Sequence, residues 1–152
     1  MQSLQRAGKI RHWGVSNLDT EDMEELVAAG GSACVTDQIL YNLTRRGPEH
    51  ALLPWLANHG MTVMAYSPVE RGRLIGNPGL AALASDLGVT PAQLALAWTL
   101  RMPGLIAIPK ASSVEHVREN RAAADLMLDV DILARLDAAF ASPGEGRPLE
   151  ML

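Results

Sequence analysis

The stretch "IRHWGVSNLDTEDMEEL", Ile10 to Leu26, joins a strand to a helix without a hairpin turn between them. A β-prone run from Ile10 to Val15 closes on Ser16-Asn17, and Asp19 can then cap a helix. The acidic first turn, Glu21 and Asp22, suits the positive end of the helix dipole. Met23, Leu26 and Val27 supply an apolar face, and Gly30-Gly31 stops the helix. The rest of the run "DTEDMEE" reads as a solvated helix face. A strand followed directly by a capped helix is half of a parallel crossover, so this stretch points to an α/β fold.

The pattern recurs along the chain. A second strand, Ala33 to Leu40, leads through "YNLTRRG" to Pro48, placed to open a helix carrying Leu52, Leu53 and Leu56 and ending at Gly60. The third strand is "MTVMAY", Met61 to Tyr66, followed by "SPVERGRLIGNPG", a loop too long to be a mere connector. "TPAQ", Thr90 to Gln93, is a capping box with Pro at the first helical position, opening a helix through Leu94, Ala97, Trp98 and Arg101. The fourth strand is Leu105 to Ile108. A second capping box, Ser112 to Glu115, predicts a helix with Val114 and Val117 facing inward, and Asp129 caps a last amphipathic helix through Ile132, Leu133, Leu136 and Phe140. The spacing therefore predicts four βα units in one domain, residues 1–152, with residues 142–152 as a surface tail.

Composition agrees with one folded domain. The chain has 152 residues, 48% hydrophobic and 20% charged, and a chain of this length hides roughly 70% of its unfolded surface. The formal net charge of −4 gives no electrostatic reason to expect nucleic acid or an anionic membrane as partner. The single cysteine, Cys34, reads as a small buried hydrophobe, and no apolar run approaches a membrane span. A cytoplasmic location is the expectation. The histidines, His12, His50, His59 and His116, lack metal-ligand spacing, so no metal site is expected.

Chemistry-bearing residues fall just past each strand: Ser16-Asn17, then Gln38 to Asn42, Tyr66-Ser67-Pro68, and Pro109-Lys110-Ala111-Ser112. Parallel α/β folds build ligand sites at that carboxyl edge. Ser112 and Ser113 also lie where free helix N–H groups would favour an anion. Tyr41 stays open between a sheet aromatic and a rim residue, whereas Trp13, Trp55 and Trp98 read as packing residues.

"GKIRHWGVSN", "DQILYNLTRRG", "VMAYSPVERGRL" and "IAIPKASSVEHVREN" resemble consecutive motifs of the aldo-keto reductase family, from Gly8 through Leu136. The ending "PLEML" is similar to the small bacterial branch. The resemblance implies a TIM (β/α)8 barrel that binds extended NADPH without a G-x-G-x-x-G fingerprint, and none occurs here. It implies that Ser16, Asn17 and Gln38 hydrogen-bond the nicotinamide carboxamide, that Tyr66 stacks on the nicotinamide ring, and that Ser67, Pro68 and Val69 line the pyrophosphate. Lys110 matches the phosphate-binding lysine, beside which Ser112 and Ser113 fit an anion on the physical grounds above, and Glu119 and Asn120 match the adenine side. His116 falls where many members carry an arginine on the 2′-phosphate, with Arg118 two residues on. NADP(H) is thus the implied cofactor, with NAD(H) as the alternative.

In the family "GVSN" ends the fifth strand of eight, so the sequence resembles the carboxyl-terminal half of the barrel, and "MQSLQRAGKI" the middle of the fourth helix. The resemblance places the family's catalytic Asp, Tyr, Lys and His in the other half. His12 is a different strand position and is not assigned catalysis. The expectation is an NAD(P)H-binding half of a carbonyl-reducing oxidoreductase, inactive alone. Four strands would leave two edges and an apolar inner face to be covered by a homodimer partner or a complementing amino-terminal half-barrel. The alternatives are a non-catalytic dimerising module, or one part of a split reductase.

Overall fold

The computed structural model describes Met1–Leu152. Its four strands, β1 (Val15–Ser16), β2 (Thr36–Leu40), β3 (Thr62–Tyr66) and β4 (Leu105–Ala107), form one sheet in the order β1-β2-β3-β4. Every neighbouring pair is parallel. Seven α-helices accompany them: α1 (Gln2–Arg6), α2 (Thr20–Leu26), α3 (Leu52–Asn58), α4 (Pro78–Asp86), α5 (Pro91–Leu100), α6 (Val114–Ala122) and α7 (Val130–Ala139). No single helix is long and apolar enough to cross a membrane.

The register explains what each strand residue does. Val15, Asp37, Val63 and Leu105 form one row across the sheet. Val63 and Leu105 belong to or pack against the main hydrophobic cluster, together with Ile39 and Ala65 one row above. The alternate row, Ser16, Gln38, Met64 and Ile106, projects from the other face, because successive strand residues point to opposite sides. None of its members is buried, and Ile106 is 47% exposed. Thr36 and Thr62 pair in the row beneath. The uncovered face is therefore mixed rather than the apolar surface expected.

Local chemistry sets the helices. Asp19 caps α2 reciprocally with Asp22, and Thr90 does the same for α5 with Gln93. Each such cap contributes about 1 kcal/mol. Helix α5 is buried all round from Leu94 to Thr99, as a helix must be that packs between the sheet and other helices. Trp98 is fully buried, stacks on Tyr41 with centroids 5.5 Å apart, and lies under the guanidinium of Arg101 at 3.6 Å. Cys34 is buried, as read.

Several expectations need correction. The first strand is Val15–Ser16 rather than Ile10 to Val15. It has one neighbour only, and at Gly14 the chains are so close that a Cβ would lie 2.6 Å from the Thr36 carbonyl oxygen. The other strands are each one to three residues shorter at an end than the sequence pattern suggests. Pro48 opens a short 3-10 turn, Gly47–Glu49, and α3 starts only at Leu52. Helix α4 lies beyond the long loop, capped by Asn77 accepting from the Leu80 N–H, and the sequence reading has no counterpart for it. The cap of α6 is Ser113, accepting from the His116 N–H at 3.2 Å, not Ser112. Helix α6 turns Glu119 and Asn120 rather than its valines toward the rest of the chain, so Val114 and Val117 are 59% and 56% exposed instead of facing inward. The tail is mostly exposed, yet Leu149 packs on the core and Glu150 pairs with Arg45.

Candidate functional site

Because all four strands run the same way, their carboxyl ends open on a single edge of the sheet. Three of the sequence-predicted residues meet where the end of β1 lies against the middle of β2. The Ser16 hydroxyl donates to the Gln38 carbonyl at 2.9 Å, and the Asn17 N–H donates to the same oxygen at 3.0 Å. Asn17 has φ 58°, a left-handed conformation that asparagine tolerates better than most residues. Its Oδ1 is buried without a hydrogen-bond partner. Gln38 is also poorly satisfied: its Nε2 donates only to the Met64 sulfur at 3.0 Å, a weak acceptor. Two amide side chains with spare capacity at one strand edge suit a ligand amide, which needs both a donor and an acceptor.

Tyr66 ends β3 and is half-buried. The chain then turns through Ser67 at φ 49°, with Pro68 buried and Val69 packed against the core. Beyond β4, the Ile108 N–H still donates to Ala65 O at 3.1 Å, which carries the chain to Pro109 and Lys110. Lys110 is exposed and makes no ion pair, so its ammonium is free to meet an anion. Ser112 and His116 are exposed at the start of α6. Glu119 and Asn120, half-buried, sit about 9–10 Å further along that helix, given its rise per residue. The structure thus groups Ser16, Asn17 and Gln38 by direct contact. It places Tyr66 to Val69 and Lys110 to Ser113 on the same edge, and sets Glu119 and Asn120 apart on α6.

Tyr41 is not at this edge. It is fully buried, its hydroxyl donating to Glu49 at 2.7 Å and accepting from Arg101 at 3.0 Å. Burial pushes the phenol well above its ordinary value, with the Arg101 charge pulling the other way.

The sequence reading missed two buried carboxylates. Asp37, next to Gln38, is fully buried and neither oxygen has a well-formed hydrogen bond. Burial raises its carboxyl to about 6, against the nearby backbone N–H groups of Leu18, Asn17 and Gln38. An acidic residue inside an apolar strand was the available signal. Glu70, 4% exposed, lies in the loop after Tyr66. Burial alone would raise it, but hydrogen bonds from Arg45 and Asn42 and the charges of Arg45 and Arg73 bring it below the usual carboxylate range. Nothing local in "SPVERGRL" marks that residue as buried.

Comparison with known proteins places this edge in context. The model of the aldo/keto reductase family matches residues 1–141. The chain belongs to the aldo/keto reductase family. Methylglyoxal reductase YeaE of Escherichia coli (strain K12) is 42% identical over 158 aligned residues, covering 100% of this chain and 56% of that protein. Pyridoxine 4-dehydrogenase from the same organism is 34% identical, with 90% and 47% covered. Among solved structures, an aldo/keto reductase from Klebsiella pneumoniae in complex with NADP and acetate superposes with a TM-score of 0.96 at 47% identity, covering 100% of this chain and 56% of that one. A second, the thermostable reductase Tm1743 with the inhibitor epalrestat, has a TM-score of 0.84 at 39% identity, with 91% and 52% covered. The chain spans about half the length of the aldo/keto reductases it matches.

Proposed function

We propose that this chain is the carboxyl-terminal, cofactor-binding half of an aldo-keto reductase barrel, and that its carboxyl edge takes NADP(H), with NAD(H) as the alternative. The observation that carries the reading is the unpartnered, buried Oδ1 of Asn17 beside the half-used amide of Gln38. Both lie where a nicotinamide carboxamide would complete them. When bound, the dinucleotide supplies a hydride for an aldehyde or ketone.

The residues of this chain bind and orient. Asn17 Oδ1 accepts from the carboxamide NH2, Gln38 offers the complementary donor, and Ser16 holds the turn between them. Tyr66 presents its ring at the end of β3. Ser67, Pro68 and Val69 form the wall beside the pyrophosphate, and Lys110, with Ser112, Ser113 and His116 at the start of α6, faces phosphate. Glu119 and Asn120 flank adenine. Carbonyl reduction also needs a proton donor on the developing alkoxide, normally a phenol with a lowered pKa. Tyr41 is shifted the opposite way and buried behind the sheet, and Tyr66 is assigned to ring stacking. These facts support a chain without the family's catalytic tetrad, inactive on its own.

Calorimetric titration with NADPH tests the binding. Saturable heat, reduced about tenfold in affinity by Lys110→Ala or Asn17→Ala, supports it. Identical binding by both variants counts against it.

A second reading concerns association. The β4 edge is unpaired, Ile106 and Ile108 on it are 47% and 38% exposed, and Val114 and Val117 of α6 are exposed as well. The exposed β4 edge suits a homodimer or a complementing amino-terminal half-barrel, which would also complete a split reductase. Without cofactor binding, a tight dimer would make the chain an interaction module. A compact monomer at micromolar concentration by sedimentation would remove that reading.

A further inference from the structure

The loop from Ser67 to Gly76 is held in a conformation that its residues would not choose. Ser67, Glu70 and Arg71 have φ of 49°, 51° and 54°, followed by Gly72 at 89°. Left-handed backbone at non-glycine residues persists only where surrounding contacts impose it. Here those contacts converge on one carboxylate. Glu70 Oε2 accepts from Asn42 Nδ2 at 2.7 Å, while Oε1 accepts from the Arg45 guanidinium at 2.9 Å and from Arg73 at 2.8 Å. Asn42 Nδ2 also donates to the Ser67 carbonyl at 2.9 Å, one residue past Tyr66. Arg45 reaches in the other direction too, donating to Glu150 of the tail at 2.6 Å. Glu70 and Asn42 are 4% and 0% exposed, whereas the Glu150 side chain is 50% exposed.

We infer that Glu70 is a positioning residue that latches the Ser67–Gly76 loop beside Tyr66, and that the carboxyl-terminal tail reinforces the latch through Glu150 and Arg45. Its functional meaning rests on the reading of this edge as a dinucleotide site, because Ser67, Pro68 and Val69 form the wall proposed for the pyrophosphate. The buried end of the chain of contacts sets the loop, since charge-assisted bonds to a desolvated carboxylate are the strong ones. The exposed end adds a smaller, salt-sensitive part.

Amide hydrogen exchange on the 152-residue chain tests this, reading the N–H groups of Glu70, Gly72 and Arg73, which are bonded inside the loop. Glu70→Gln is expected to accelerate them about tenfold while the amides of α5 are unchanged. Glu150→Gln is expected to accelerate them about two- to threefold at low salt and not at about 0.5 M salt. Arg45→Lys, which keeps a charge but not the fork, should fall between wild type and Arg45→Gln. Arg45→Gln, at a part-exposed side chain, serves if Glu70→Gln does not fold, and unchanged loop exchange in either overturns the latch. Equal acceleration across α5 also overturns it, since Glu70 would then only stabilise the fold. Tail loosening in Glu150→Gln with an unchanged loop overturns the tail's share. NADPH titration separates the two readings: weaker binding in Glu70→Gln supports both, while no binding by wild type with the exchange pattern intact removes the cofactor reading and leaves the latch.

Discussion

The two faces of the sheet are built from the same strands one residue out of phase, and they differ in what they leave unfinished. On the helix-covered face, Val63 and Ala65 join a cluster with Leu56, Leu80, Leu94 and Trp98, and the charged groups packed beside it, Asp37 apart, are engaged while the Trp98 indole N–H is not. Arg46, for example, bonds Glu49, Asp137 and the Phe140 carbonyl at once. On the other face and its carboxyl edge, Gln38 has a thioether for a partner, Asn17 Oδ1 has none, and Ile106 meets solvent. The comparison teaches where to look for each property. Apolar burial is concentrated behind the sheet, and the amides and apolar surface left open in front of it and at its edge are what a ligand or partner would use.

The largest expected effect lies behind the sheet. Trp98→Ala removes a fully buried ring with its Tyr41 and Arg101 stacking partners, and should cost about 3–5 kcal/mol in urea unfolding. A loss below about 1 kcal/mol would break the contrast between the faces.

Asp37 is the charged group left unpartnered on the covered side, a buried carboxylate raised from 3.8 to about 6. Its folded form holds a proton more tightly than the unfolded chain does. Its contribution to stability is therefore present on the acid side and lost as pH rises through about 6. Lowering pH from about 7 to about 5 should stabilise the protein by about 1 kcal/mol through this group, and Asp37→Asn should abolish that slope. Glu49 and Glu70 are shifted down from 4.5, so their losses begin only at lower pH and leave this window clear. A midpoint that does not differ between wild type and variant across that range would remove Asp37 from the picture.

Thr90→Ala should cost about 1 kcal/mol by deleting the reciprocal cap of α5. Smallest of all, Gln38→Ala in front of the sheet should change unfolding by less than about 0.5 kcal/mol while weakening NADPH binding severalfold. If Gln38→Ala destabilises as much as Trp98→Ala, the front of the sheet is structural after all.

The parts of this molecule legible in the sequence are those written in short-range chemistry. "LDTED" and "TPAQ" announce their caps because the bonding atoms are three residues apart, and the alternation in "MTVMAY" announces β3. The placement of Ser16 and Asn17 follows from the end of β1, whereas Gln38 stands mid-β2 and meets them through the register that pairs it with Ser16. The cap of α6 is ambiguous in the sequence because two serines stand in tandem, and the outward turn of Val114 and Val117 reflects how α6 docks, which its own sequence does not encode. Helix α4 hides behind "GNPG", which reads as a turn although Asn77 and Pro78 open the helix. Glu70 is illegible for another reason: its burial depends on Arg45 and Asn42, contacts set only once the chain has folded, whereas Asp37 carries a signal in its apolar strand.

The titration of the purified chain with NADPH, repeated on Asn17→Ala, tests the front of the sheet most directly. Saturable binding in the micromolar range, weakened about tenfold when the unpartnered amide is removed, is the expected result. Heat no greater than dilution, or the same affinity in both proteins, would contradict it.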